Sequence, residues 1–140
     1  MHVLRAEKGF IIVGQDTDGS VTPVDLGMGA MVAKTKDFLG KRSLSRSDTA
    51  RADRKQLVGL LTVDPALVLR EGAQMLGTAG HVTSSYFSPT LGRSIALALL
   101  EGGAGRMGQR VQVALADGSS VDAVVSDPVF FDPKAERQRA

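Results

Sequence analysis

A mainly β chain with short helices, α+β overall, is predicted, in which the end of one domain precedes a small antiparallel β-barrel. Three observations predict it. Downstream of residue 54, short apolar or alternating runs recur between turn residues at a spacing of roughly 10 to 15 residues, as in an antiparallel sheet that closes on itself. Residues 41–56, KRSLSRSDTARADRKQ, hold six basic and two acidic residues with a single large apolar one, which suits a solvated helix end and linker. Upstream of that stretch the chain changes character, with a helical segment running into an apolar one. These set the organisation: residues 1–54 as a domain end, 55–133 as a barrel, and 134–140 as a polar tail.

Val3 to Gly9 has helical character and stops at a glycine, which suits a left-handed C-terminal cap. Phe10-Ile11-Ile12-Val13 then reads as a strand buried on both faces. Such a strand needs neighbours that forty residues do not supply, so this segment is expected to complete a domain that begins elsewhere, and the chain to be a fragment. Its exposed apolar faces, with Val24, Leu26, Met28, Met31 and Val32, would then form a sticky patch. The barrel strands are expected at Leu57–Val63, Ala73–Leu76, Gly80–Ser85, Ile95–Leu99, Arg110–Leu115 and Val121–Ser126. In the fifth, Val111, Val113 and Leu115 alternate with polar or small residues, and Asp117-Gly118 turns it into the sixth as a hairpin. Ile95 to Leu100 is short and alanine-rich enough to suit helix or strand.

Composition removes several function classes. The 140 residues are 43% apolar and 23% charged, a soluble globular balance. The chain has no cysteine, so disulfides, thiolate metal sites and cysteine nucleophiles are excluded. His2 and His81 leave little for a metal cage, and no metal site is expected. No apolar run approaches the roughly 20 residues of a membrane span, and Arg5, Glu7 and Lys8 interrupt any leader at the N-terminus. A cytoplasmic protein without membrane contact is expected. The net charge of +2 is weak, and no aromatic residue lies between Phe38 and Tyr86 to stack on bases, so no nucleic-acid partner is expected.

Several motifs reduce to local structure. Gly103-Ala104-Gly105-Arg106-Met107-Gly108 matches GxGxxG, but an alternating strand follows it where a dinucleotide site needs a helix, so a glycine-rich turn is expected. Asp16-Thr17-Asp18-Gly19 lacks the spacing of a calcium loop and reads as an Asx-type turn. No Ser-His-Asp grouping is present, and no catalytic residue is assigned. Glu7, between Arg5 and Lys8, is either a surface ion-pairing residue or an inward carboxylate. An inward one must accept hydrogen bonds, and a ligand with paired N–H donors would supply them.

Taken in order, Leu4-Arg5-Ala6-Glu7-Lys8-Gly9, Gly14-Gln15-Asp16, Thr22-Pro23-Val24-Asp25, Asp37-Phe38-Leu39-Gly40-Lys41-Arg42-Ser43-Leu44, Leu57-Val58-Gly59-Leu60, Gly80-His81-Val82-Thr83-Ser84-Ser85, Ser88-Pro89-Thr90-Leu91-Gly92 and Asp127-Pro128-Val129-Phe130 resemble the glycine-cleavage aminomethyltransferase (T-protein) family. Within it, residues 54–60 and 90–98 look most like the C-terminal part of the alpha subunit of heterotetrameric sarcosine oxidase. The resemblance implies a folate-binding domain followed by a β-barrel. The family's Arg-x-Glu-x-Gly motif places a pterin-binding glutamate at Glu7. Its basic folate contact falls by position on Lys36 or neighbouring Lys34.

The implied cofactor is tetrahydrofolate, which captures the methylene unit of oxidised sarcosine as 5,10-methylenetetrahydrofolate. NAD and flavins would be bound elsewhere in the complex. The implied partners are the remainder of the alpha subunit, the flavin-bearing beta subunit and the small subunits. The family's acid-base aspartate lies upstream of the matching region, so the chain alone is expected to be inactive. Competing readings are a folate-binding repair protein, whose Lys-Gly-Cys-x-x-Gly-Gln-Glu motif would put cysteine at Phe10, a non-catalytic barrel used for subunit contact, and the tail of a related dimethylglycine or sarcosine dehydrogenase.

Overall fold

The computed structural model describes residues 1–139, so the last residue of the predicted tail lies outside it. Helix α1 (His2–Glu7) opens the chain, and six strands follow an extended, turn-rich stretch: β1 (Lys55–Thr62), β2 (Met75–Leu76), β3 (Gly80–Ser88), β4 (Arg93–Glu101), β5 (Arg110–Ala114) and β6 (Ser120–Ser126). They form one antiparallel sheet in the order β2-β5-β6-β1-β4-β3. The sheet curls until its two edges meet at a short seam. There the Val82 N–H donates to the Ala73 carbonyl at 2.9 Å, the Gly72 N–H donates to the Val82 carbonyl at 2.8 Å, and Gln74 bridges His81. Closure of this kind removes most of the exposed edge.

Alternation along the strands sends one set of side chains inward. Val58, Leu60, Val82, Ala96, Ala98, Leu100, Val111, Val113, Ala123 and Val125 fill the interior, with Leu69 and Met75 plugging it. The opposite face of β1 and β4 is also buried, because Leu57, Leu97 and Leu99 pack against Ile11, Val21, Leu26 and Phe130 from outside the barrel. A strand buried on both faces needs apolar residues at every position, which explains the unbroken Ile95 to Leu100 run and settles it as strand β4.

Phe10 to Val13, expected to be a strand buried on both faces, is not one. Phe10 is 61% and Val13 85% exposed, and only Ile11 packs onto the outer face of the sheet. Among the described residues the segment has no adjacent strand to pair with. Its backbone is used in a turn instead, the amides of Gln15 and Asp16 donating to the Ile12 carbonyl at 3.2 and 2.9 Å. Of the residues expected to form an apolar patch, Phe10, Val13, Val24 and Met31 are exposed, Met28 and Val32 are half-buried, and Leu26 is committed to the sheet. Gly103–Gly105 forms a single 3-10 turn between β4 and β5, as its strand context requires.

The basic stretch is mostly solvated, with a 3-10 turn at Lys41–Ser45. Arg54 at its end is an exception. Its Nε donates to Asp25 Oδ2 at 3.0 Å, its Nη2 donates to the Ser20 carbonyl, and Asp25 is buried with Thr22 on the same oxygen. The start of β1 is therefore fastened to the segment around residues 20–25.

Candidate functional site

Helix α1 lies across the outer face of β3, and its charged residues are turned toward the sheet. Glu7 is 3% exposed. The Ser88 hydroxyl donates to its Oε1 at 2.6 Å. The Glu7 carbonyl accepts from the Phe130 and Phe131 amides, both at 2.9 Å, and the Lys8 ammonium donates to the Asp132 carbonyl at 2.6 Å. The C-terminal segment thus straps the helix down from the other side. Gly9 permits the close crossing: its φ is +69°, and a Cβ there would stand 2.8 Å from the Pro128 carbonyl oxygen.

Of the two carboxylate oxygens of Glu7, only Oε1 has a hydrogen-bond partner among the described residues. Glu7 lines a cleft of about 370 Å³ with Leu4, Lys8, Thr90, Phe131 and Asp132. Lys36 stands elsewhere. It is exposed and lines a separate, largely apolar groove of about 600 Å³ with Met28, Met31, Phe38 and Leu39. The structure does not bring Glu7 and Lys36 to one cavity among those described. Lys34 is also exposed.

The most enclosed charged group among the described residues lies in the motif that reads in sequence as an Asx-type turn. Asp16 is 0% exposed. Its Oδ1 accepts from Thr83 Oγ1 at 2.5 Å and from Ser84 Oγ, while its Oδ2 accepts from the Ile12 amide at 2.9 Å and from Arg5 Nη1. Arg5 closes the ring, donating through Nη2 to Ser84 Oγ at 2.7 Å and to the Tyr86 hydroxyl at 3.2 Å. Only the Asp18 half of the motif forms the expected Asx turn, accepting from the Ser20 amide at 2.8 Å. Burial pushes the Asp16 carboxyl up, but the bonds from Ser84, Thr83, Ile12 and Arg5 together outweigh it and hold the group below the usual carboxylate range.

Thr83 and Ser84 are consecutive, and regular alternation would point them to opposite faces. They reach the same oxygen because β3 bulges there. Val82 pairs with Ala98 and Ser84 with Leu97, so Thr83 is the extra residue. The bulge shifts the phase of the strand: His81 and Thr83 face outward before it, and Ser84, Tyr86 and Ser88 after it, the last three meeting Arg5 and Glu7. No sequence signal marked this bulge. The run Val82-Thr83-Ser84-Ser85, with its three hydroxyls in succession, is the trace it leaves.

A curled six-stranded sheet with a helix and a terminal strap over its outer face defines a class. Residues 55–132 match the glycine cleavage T-protein C-terminal barrel domain, more than half of the chain, and the chain belongs to that family. It is 54% identical to sarcosine oxidase subunit alpha of Corynebacterium sp. (strain P-1) over 99% of its own length, and 43% identical to the subunit of that name from Rhizobium meliloti (strain 1021) over 98%. The chain spans about 15% of the length of these relatives. An aminomethyltransferase of Thermotoga petrophila is 34% identical over 97% of the chain and 37% of the relative. Among solved structures, the glycine cleavage system aminomethyltransferase T from Bartonella henselae superimposes with a TM-score of 0.81 at 25% identity, over 94% of this chain and 38% of that one. Among the described residues no helix is long and apolar enough to cross a membrane.

Proposed function

We propose that the chain forms the barrel side of a tetrahydrofolate-dependent, sarcosine-oxidising alpha subunit, and that Glu7 faces the pterin while Lys36 meets another part of the folate. The supporting observation is the inward carboxylate of Glu7 at the cleft beside Thr90 and Phe131. A pterin edge carries two adjacent N–H donors, and a carboxylate with unspent lone pairs accepts them in a geometrically selective way. Ser88 takes one lone pair on Oε1 and orients the group. The acceptor pair of Glu7 therefore suits the donor edge of the pterin.

When bound, tetrahydrofolate supplies the nitrogens that take up the one-carbon unit. The part of this chain is to bind and orient, through Glu7 and the apolar wall of the cleft. Lys36 offers a flexible ammonium suited to a carboxylate, without the planar fork of arginine. Oxidation of sarcosine, with NAD and flavin, is assigned in this proposal to other regions of the alpha subunit and to a beta subunit.

A second reading has its own observation: Glu7 already holds Ser88 through its side chain and Phe130 and Phe131 through its carbonyl, which is sufficient reason for its burial. Glu7→Gln separates the two. Glutamine keeps an acceptor for Ser88 and the backbone bonds, but it loses the second acceptor oxygen. Titration of tetrahydrofolate into the chain, followed by calorimetry, is expected to show at least about a tenfold loss of affinity in the variant with an unchanged melting temperature. Equal affinity of the two, measured in a full-length subunit that carries this segment, returns Glu7 to the structural role.

A further inference from the structure

We infer that Asp16 is a positioning residue: its buried carboxylate, held by the β3 bulge and clasping Arg5, sets helix α1 in place on the barrel. Its four donors come from three separate places in the chain: Arg5 in α1, Ile12 in the turn after it, and Thr83 and Ser84 in β3. Arg5, its partner, spans the same three places, donating to the Phe10 carbonyl at 3.1 Å, to Asp16, and to Ser84 and Tyr86 in β3, so the two side chains act as one latch. Arg54 and Asp25 fasten residues 20–25 to β1, while α1 and the following turn are held by the Asp16–Arg5 pair, by Gln15 on Glu71 and Ser84, by Ile11 on the sheet, by Ser88 and by the C-terminal strap.

The geometry requires a charged, forked acceptor at this point. Two hydroxyls converge on Oδ1 while a guanidinium and an amide converge on Oδ2, so each oxygen accepts two bonds. An asparagine keeps the volume but turns one acceptor into an NH₂ donor facing other donors. Both Asp16 oxygens are fully partnered, while Arg5 Nε is buried without a partner; a buried polar network specifies one arrangement through the bonds it does make and loses it when they are removed. Glu7 lies two residues beyond Arg5 on the same short helix, so the latch also decides where the Glu7 carboxylate stands. That consequence alone rests on the folate reading.

The chain carries its own reporter. Tyr86 is its single tyrosine and it has no tryptophan. The Tyr86 ring has the Arg5 guanidinium 5.6 Å from its centre and the His2 ring 6.4 Å away in a stacked arrangement. Near-ultraviolet circular dichroism of Tyr86 therefore reads the seat of α1, while the far-ultraviolet signal reads the sheet.

In the full chain at neutral pH, Asp16→Asn is expected to remove most of the Tyr86 band and leave the far-ultraviolet spectrum unchanged. Native-state hydrogen exchange is expected to show protection of the Phe10 and Ile12 amides falling by about tenfold or more, with the amides of Val58 and Ala98 unaffected. Arg5→Lys, which keeps the charge and loses the fork, is expected to fall between wild type and Asp16→Asn. It also serves as the test if the asparagine variant does not fold. A wild-type Tyr86 band in these variants, or equal loss of protection in α1 and the sheet, overturns the inference. Loss of the band with tetrahydrofolate affinity unaltered in both Asp16→Asn and Glu7→Gln upholds the latch and refutes the folate reading.

Discussion

Thr83→Val tests the assignment of the bulge. The substitution replaces a hydroxyl by a methyl in nearly the same volume, at a residue that is buried in β3. It deletes one donor to Asp16 Oδ1, the bond of 2.5 Å, and leaves Ser84, the Ile12 amide and Arg5 in place. Asp16 thus stays charged and paired, and the loss is that of one hydrogen bond to an ionised group, about 1.5–3 kcal/mol. Removing the counter-charge is a different event. Arg5→Met leaves a buried carboxylate without its cation, and breaking such a pair costs about 3–5 kcal/mol, a large share of the roughly 5–15 kcal/mol that stabilises a domain. The assay is urea unfolding followed through Tyr86, comparing midpoints and slopes for both variants. A Thr83→Val loss below about 0.5 kcal/mol, the level of an ordinary surface change, would refute the role of the bulge. So would an Arg5→Met loss no greater than that of Thr83→Val.

Two further predictions concern the barrel itself. Gly59 sits in β1, where a Cβ would lie 2.5 Å from the Asp127 carbonyl oxygen and 2.7 Å from Cζ of Phe130, so Gly59→Ala must displace the C-terminal strap. Overpacking at such a site costs about 1–3 kcal/mol, and the melting temperature is expected to drop accordingly, whereas an unchanged one would show that the strap yields freely. His81, at the seam, is held below its ordinary value of 6.5 by burial and then by Lys55, against a smaller opposing effect of Asp18. Because its folded pKa is depressed, the stability tied to its neutral form is present above 6.5 and declines as pH falls through the folded value. An NMR titration of the ring is expected to give a midpoint under 6.5. A midpoint at or above it contradicts this assignment.

Much of the barrel is legible in the sequence because strands declare themselves locally. Val111, Val113 and Leu115 alternate, Asp117-Gly118 turns, and the hairpin of β5 and β6 follows. The Ile95 to Leu100 run suits helix or strand in sequence because its second buried face is created by Ile11, Val21 and Leu26, which lie far away along the chain. Phe10 to Val13 misled for the converse reason. Its apolarity promised two neighbouring strands, and the fold provides one sheet face, for Ile11 alone. At the candidate site, the inward direction of Glu7 was among the readings its neighbours allowed, but its partner Ser88 lies 81 positions away.

The sequence by itself determined the barrel strand segments other than β4, the turn between β5 and β6, the absence of thiol chemistry and the resemblance to the T-protein family. Each depends on residue type and short-range period, which are properties of a few neighbours. Only the tertiary structure decided what Asp16 does. Its partners Thr83 and Ser84 are 67 and 68 positions away, and they share one oxygen solely because a single extra residue shifts the phase of β3. Strand period is two, so inserting one residue exchanges the faces of everything beyond it. That exchange becomes visible only against the partner strand, where Leu97 and Ala98 show which residue has no mate.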